Sequence, residues 1–204
     1  MSQILLTGFT PFDGREFNAS WIAARALIAT HRSENVLHGL CIPVCWGQPR
    51  LALAKALAQW QPRCVIAMGE GATGLFKIES LAHNRRASRK DNNDQFPDHP
   101  LIDPQGPDTR PASAPCSTLC SYLLQAGYPM QLSSDAGAYL CEETLYTLEA
   151  YKEVHPFLKT VIFVHLPPFG SDLILRGESR QCDEALLTEF SQQLLASMTA
   201  QKLL

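Results

Sequence analysis

A chain of 204 residues, 46% apolar and 18% charged, is long enough to bury one sizeable core, and a single domain over 1–204 is expected. A formal net charge of −3 gives no electrostatic basis for binding nucleic acid or an anionic membrane surface. No stretch approaches the roughly 18 uninterrupted apolar residues of a spanning helix, and Met1 runs into Ile4-Leu5-Leu6 without a basic leader, so a cytoplasmic protein is expected.

In chain order, Ile4-Leu5-Leu6 reads as a first buried strand ended by Gly8, and Pro11, Asp13 and Gly14 as a loop. Asn18 or Ser20 can cap a helix carrying Trp21, Ile22, Ala24 and Leu27. Val36 to Val44 predicts a second strand, and Pro49 opens a helix through Leu57. Cys64 to Gly69 is a buried strand followed by a glycine-bearing turn, and Ile78 to Ala82 one further extended piece. From Asn84 to Ala114 the chain is polar and irregular, with five prolines, as in a functional or disordered loop. Pro115 to Ala126 predicts a helix and Met130 to Ser133 a strand. A helix then opens near Cys141, a strand ends at His165, and an amphipathic helix runs near Cys182 to Met198. Strands alternating with helices predict an α/β fold, a three-layer α/β/α sandwich with a mainly parallel central sheet.

Seven cysteines in a chain without an export signal predict reduced thiols. Cys41-x3-Cys45 and Cys116-x3-Cys120 lack histidine partners at zinc-like spacing and read as small buried hydrophobes, so no metal is expected. Gly69-Glu70-Gly71-Ala72-Thr73-Gly74 spells G-x-G-x-x-G after a strand. However, Leu75-Phe76-Lys77-Ile78-Glu79 opens no capped helix, and a lone match is weak ground for a dinucleotide.

The most informative pair is Cys141 and His165. A thiol at a helix N-terminus lies among unpaired N–H groups and positive dipole charge, which favour the thiolate. An imidazole at the C-terminal end of a strand points toward the usual ligand crevice of an α/β protein. The two read as nucleophile and base. Glu79, on the apolar segment Ile78 to Ala82, is the best candidate to orient the imidazole, because a carboxylate there needs a partner. Taken singly, each residue has a plain alternative: a packed helix cysteine, a satisfied core histidine, a surface charge.

Four segments together resemble one family. Leu5-Leu6-Thr7-Gly8-Phe9-Thr10-Pro11-Phe12-Asp13-Gly14 followed by Asn18 is similar to the T-G-F-x-P-F-x-G…N signature of the pyroglutamyl-peptidase I family of cysteine peptidases. Glu79 to Asn84 resembles its E-R-x-A-x-N segment, Ala136 to Cys141 its A-G-T-(F/Y)-(V/L)-C, and Phe163 to Pro167 its F-(I/V)-H-(V/I/L)-P. The resemblance implies a phosphorylase/hydrolase-like fold and removal of N-terminal pyroglutamate from peptides, without a cofactor. It implies Cys141 as nucleophile, His165 as base, Glu79 as the orienting carboxylate, and Arg89 near the thiol as a stabiliser of thiolate or oxyanion.

Phe9 and Phe12 match family residues that pack on the lactam ring. Backbone groups around Gly69-Glu70 and Tyr139-Leu140 are expected to bond the lactam N–H and C=O. Dimers or tetramers are implied as assemblies. Three places depart from the family pattern: Ser80 where arginine is usual, Thr73-Gly74-Leu75 where a glycine pair and arginine are expected, and Glu142-Glu143 after the cysteine. Two carboxylates beside a thiol oppose its ionisation unless screened. They motivate an alternative expectation, a catalytically impaired binder of blocked peptide N-termini.

Overall fold

The protein is described by a computed structural model covering residues 2–32 and 34–204. In chain order its elements are β1 (Gln3–Phe9), α1 (Ala19–Thr30), β2 (Val36–Ile42), α2 (Gln48–Trp60), β3 (Cys64–Glu70), β4 (Phe76–Glu79) and β5 (Leu81–His83). They continue with β6 (Thr109–Pro111), α3 (Cys116–Gln125), β7 (Met130–Ser133), α4 (Leu140–Val154), β8 (Thr160–Leu166), β9 (Asp172–Leu175), β10 (Glu178–Gln181) and α5 (Glu184–Ala200).

The central sheet runs β2-β1-β3-β8-β4-β7. From β2 to β8 every pairing is parallel, because helical crossovers return the chain to the same end. β4 lies antiparallel to β8 and parallel to β7, so that edge of the sheet is reversed. The cause is local: the link from Glu70 to Phe76 is too short to hold a crossover helix.

Strand alternation divides the core in two. Leu6, Ile66, Ile78, Ile162 and Val164 face one layer with Leu27 of α1, Leu119 of α3 and Phe190 of α5. Leu5, Val65, Val161 and Phe163 face the other with Leu53 of α2 and Leu145 of α4. Every residue of β8 is buried, which is why it reads as an unbroken apolar run. Each large aliphatic side chain so buried contributes about 1.5–3 kcal/mol of transfer free energy. The expected three-layer sandwich is therefore observed.

The details differ in three places. The single extended piece expected over Ile78 to Ala82 is two strands, because Glu79 ends β4 in the central sheet while β5 leaves it to pair with β6. β6 lies inside the stretch read as irregular, where Ala82 turns inward and Arg110, its register partner, is also buried. The β9–β10 hairpin was not expected. Its turn at Arg176 and Gly177 has positive φ at both residues, 54° and 86°, which suits a hairpin's twist. Of the two possible caps for α1, Asn18 serves: its Oδ1 accepts from the Ser20 N–H at 3.0 Å. No helix among the described residues is long and apolar enough to cross a membrane.

Candidate active site

Glu79 ends β4, and His165 is the second-last residue of β8. The antiparallel register sets Glu79 opposite Phe163, so Glu79 and His165 are diagonal neighbours on one face of the sheet. There the Nδ1 atom of His165 lies 2.8 Å from Oε1 of Glu79. Glu79 is fully buried and its Oε2 finds no partner among the described residues, so the imidazole is its principal polar neighbour. The need for a partner read from the apolar surroundings of Glu79 is thus met.

Cys141 is the second residue of α4. Gly137 and Ala138 both take positive φ, 93° and 55°, turning the chain sharply into the helix. An alanine in that region is strained, and the Ala87 N–H holds it by a 2.7 Å bond to the Ala138 carbonyl. Tyr139 at the N-cap makes no side-chain capping bond, so the first amides of α4 keep donors available to an incoming oxygen. The Cys141 sulfur neighbours the His165 imidazole closely enough to raise its proton affinity. Since Nδ1 is engaged by Glu79, the ring nitrogen left for sulfur is Nε2.

Burial alone would pull the His165 pKa down. The Cys141 sulfur and the Glu79 carboxylate outweigh burial and push it up to about 10. The charged form of the imidazole is therefore favoured by its two neighbours. Elsewhere burial is the largest influence on sulfur, and Cys64, Cys116 and Cys182 are raised to about 12 and kept protonated. Cys141, in contrast, is partly exposed to the pocket.

The glycines of the G-x-G-x-x-G segment give room for this pair. A Cβ on Gly69 would lie 2.7 Å from Sγ of Cys141, and one on Gly71 would lie 2.8 Å from Cβ of His165. The spacing that mimics a dinucleotide loop is here a steric allowance for the side chains of Cys141 and His165.

A pocket of about 270 Å³ opens over them. Phe9, Phe12 and Val44 form its apolar wall, continued by Tyr139 and Leu140. Arg89 also lines it, its guanidinium 4.4 Å from the Tyr139 ring centroid and 2.6 Å from Asp13. Glu70 lines the pocket with its carboxylate already engaged by Arg15 and the N–H groups of Ala19 and Phe169. It braces three segments of the rim.

All nine residues singled out in the sequence therefore border the pocket or, in the case of Glu79, the imidazole. Lys77, Asp135, Ala136 and Gly137 also line it, though the sequence reading assigned none of them a role of its own. For Lys77 the signal was present, since it lies two residues before Glu79 on one strand and so shares its face.

The departures from the family pattern also find places. Ser80 donates from Oγ to the Ser133 carbonyl at 2.7 Å. Glu142 accepts from the His83 N–H at 2.7 Å. Glu143 accepts from Arg86 Nε at 3.0 Å and from the Gly47 N–H at 3.1 Å. Burial raises both carboxyls toward the neutral form. Their charge is thus reduced and committed to partners other than the thiol.

A pocket-lining cysteine at a helix start beside an imidazole bonded to a buried carboxylate, on an α/β sheet, is an arrangement of the class that can support thiol chemistry. Comparison with known proteins gives the family. The family model for pyroglutamyl peptidase matches residues 2–190, so the chain belongs to that family of cysteine-type exopeptidases. The pyrrolidone-carboxylate peptidase of Gloeobacter violaceus is 33% identical over 148 residues, 72% of each chain. That of Klebsiella pneumoniae is 34% identical over 151 residues, 72% of this chain and 70% of the relative. In fold, a mutant pyrrolidone carboxyl peptidase from Pyrococcus furiosus superposes with a TM-score of 0.85 at 22% identity, covering 98% of this chain and 99% of that one. The pyroglutamyl peptidase I of Bacillus amyloliquefaciens gives 0.84 at 22% identity, covering 96% and 94%.

Proposed function

We propose that this protein cleaves N-terminal pyroglutamate from peptides through an acyl-enzyme, with Cys141 as nucleophile, His165 as acid and base, and Glu79 as the orienting carboxylate. The observation that carries the reading is the juxtaposition of the Cys141 sulfur and the His165 imidazole in one small apolar pocket, with Glu79 bonded to the ring from behind.

Cys141 Sγ attacks the pyroglutamyl carbonyl as a thiolate, forming the carbon–sulfur bond, while the imidazolium holds a proton on Nε2. The tetrahedral oxyanion draws on the amides at the start of α4, whose dipole favours negative charge there. Collapse breaks the carbon–nitrogen bond, and His165 gives its proton to the departing amine. Water, deprotonated by the now neutral imidazole, then attacks the thioester and releases pyroglutamate. Glu79 keeps the ring oriented throughout and compensates its charge.

Substrate choice has a physical basis. Pyroglutamate is a flat, uncharged lactam without a free amine, and the wall of Phe9, Phe12 and Val44 offers an apolar slot for it. At about 270 Å³ the pocket suits one cyclic residue, with the rest of the peptide outside. Since the Glu70 carboxylate is occupied, lactam bonds fall to backbone groups around Glu70, Tyr139 and Leu140. Losing one such partner costs about 1–3 kcal/mol, which discriminates against proline. Arg89, paired with Asp13, stands on the same wall, where its guanidinium donors favour the oxyanion.

The test is hydrolysis of pyroglutamyl-, prolyl- and glutamyl-arylamides side by side, with iodoacetamide alkylation and Cys141→Ala. Turnover of the first alone, abolished by alkylation and by the substitution, is expected. Wild-type turnover by Cys141→Ala removes the assigned nucleophile. Calorimetric binding of a pyroglutamyl dipeptide without turnover would instead assign a binder of blocked N-termini.

A further inference from the structure

We infer that Lys77 selects leaving peptides that carry a carboxylate close to the scissile bond. The inference rests on the peptidase reading and concerns the far side of the same site. Across the sheet the pocket runs from Phe9 on β1, past His165 on β8, to Lys77 on β4. The apolar slot lies at the β1 end, with the thiol and imidazole between. The departing nitrogen must take its proton from His165. Whatever follows that nitrogen in the peptide therefore extends beyond His165, toward β4.

Lys77 is the direct antiparallel partner of His165, so the two side chains stand side by side on one face. The lysine is half-buried and lines the pocket. The other permanently charged groups on that lining are already matched: Glu70 by Arg15, Arg89 by Asp13, and Asp135 by Arg85. Among the described residues Lys77 has no carboxylate within ion-pair distance. An ammonium held in a partly desolvated pocket without a counter-charge is complementary to an anion brought by the substrate. The chemistry that fits is a carboxylate on the first residue of the leaving peptide. It is either an acidic side chain or the free C-terminus of a dipeptide.

The experiment uses the full chain and two matched substrate pairs: pyroglutamyl-glutamyl amide against pyroglutamyl-glutaminyl amide, and pyroglutamyl-alanine against its amide. The quantity read is the ratio of kcat/KM within each pair, which does not depend on the fraction of correctly folded enzyme. For the wild type a preference of about three- to fivefold for the carboxylate is expected in at least one pair, the size of a half-exposed ion pair. It should appear mainly in KM, because the contact is present before and during reaction. Lys77→Gln should bring the ratio to about one, and Lys77→Arg should restore it. The pair that responds identifies the source of the carboxylate. A wild-type ratio near one in both pairs, or a preference unchanged in Lys77→Gln, overturns the role of Lys77 alone. No turnover of a pyroglutamyl-arylamide by the wild type overturns the peptidase reading and this inference with it.

Discussion

Gly69 and Cys141 are packed so closely that the position tolerates no side chain: a Cβ there would sit 2.7 Å from the sulfur and 3.0 Å from the Phe163 ring. The sulfur could yield only by leaving its place beside His165, and the ring is buried in the core. Gly69→Ala should therefore lower kcat/KM by at least about tenfold, with overpacking costing about 1–3 kcal/mol of stability. Kinetics alongside circular dichroism would separate the two effects. Full activity in a normally folded variant would mean that the thiol need not occupy its present position.

Glu79→Gln keeps the volume but removes the charge that supports the imidazolium. The expected loss in kcat is large, up to about 10⁴-fold where a triad carboxylate acts by fixing tautomer and charge. Removing Glu79 also removes one of the two influences that raise His165, so the alkaline limb of the rate profile should move to lower pH. A pH series of kcat/KM on both proteins measures the displacement.

For the wild type the sign follows from His165 being raised from 6.5 to about 10. The imidazolium needed to protonate the leaving amine persists through neutral pH and is lost as pH rises past about 10, where activity should fall. The same shift stabilises the fold fully below pH 6.5, and that contribution is lost as pH climbs through about 10. Thermal unfolding should show a decline over this window that is absent in Glu79→Gln/His165→Gln. Parallel curves would sink the assignment.

A second titration lies outside the site. Glu149 on α4 is buried and accepts from the Ser113 N–H at 2.8 Å; burial pushes its carboxyl up to about 7. The folded state thus binds a proton that the unfolded chain releases near pH 4.5, so stability should fall as pH rises from there through 7. Glu149→Gln should remove a slope on the order of 3 kcal/mol across that range. Denaturant titrations at pH 5 and 8 check it, and equal slopes in both proteins would disprove it.

Arg86 holds Glu143 at 3.0 Å, with Glu143 wholly buried behind the start of α4. Arg86→Ala should destabilise by about 3–5 kcal/mol by stranding that carboxylate. Adding Glu143→Gln should recover much of the loss. A double variant no more stable than the single one would show that the arginine acts by packing.

The layers, and the elements that bear Glu79, Cys141 and His165, were legible in the sequence because both depend on local patterns. The apolar run of Thr160–Leu166 must be buried on both faces, and the alternation of Leu5 and Leu6 across two cores follows from the strand period. The matched segments around Phe9, Glu79, Cys141 and His165 named chemistry that no single residue could.

Pairing at a distance was not legible. The break between Glu79 and Leu81, the reversal of β4, and the β9–β10 hairpin depend on which strand lies alongside, a choice made by total burial and loop length. Likewise, Glu142 and Glu143 look like charges crowding a thiol until the fold turns them onto His83, Gly47 and Arg86. Residue types and their order determined what reactions were available. Only tertiary structure decided which charges are matched and which, like Lys77, face the pocket alone among the described residues, because electrostatic energy depends on distance and burial, and neither is written along the chain.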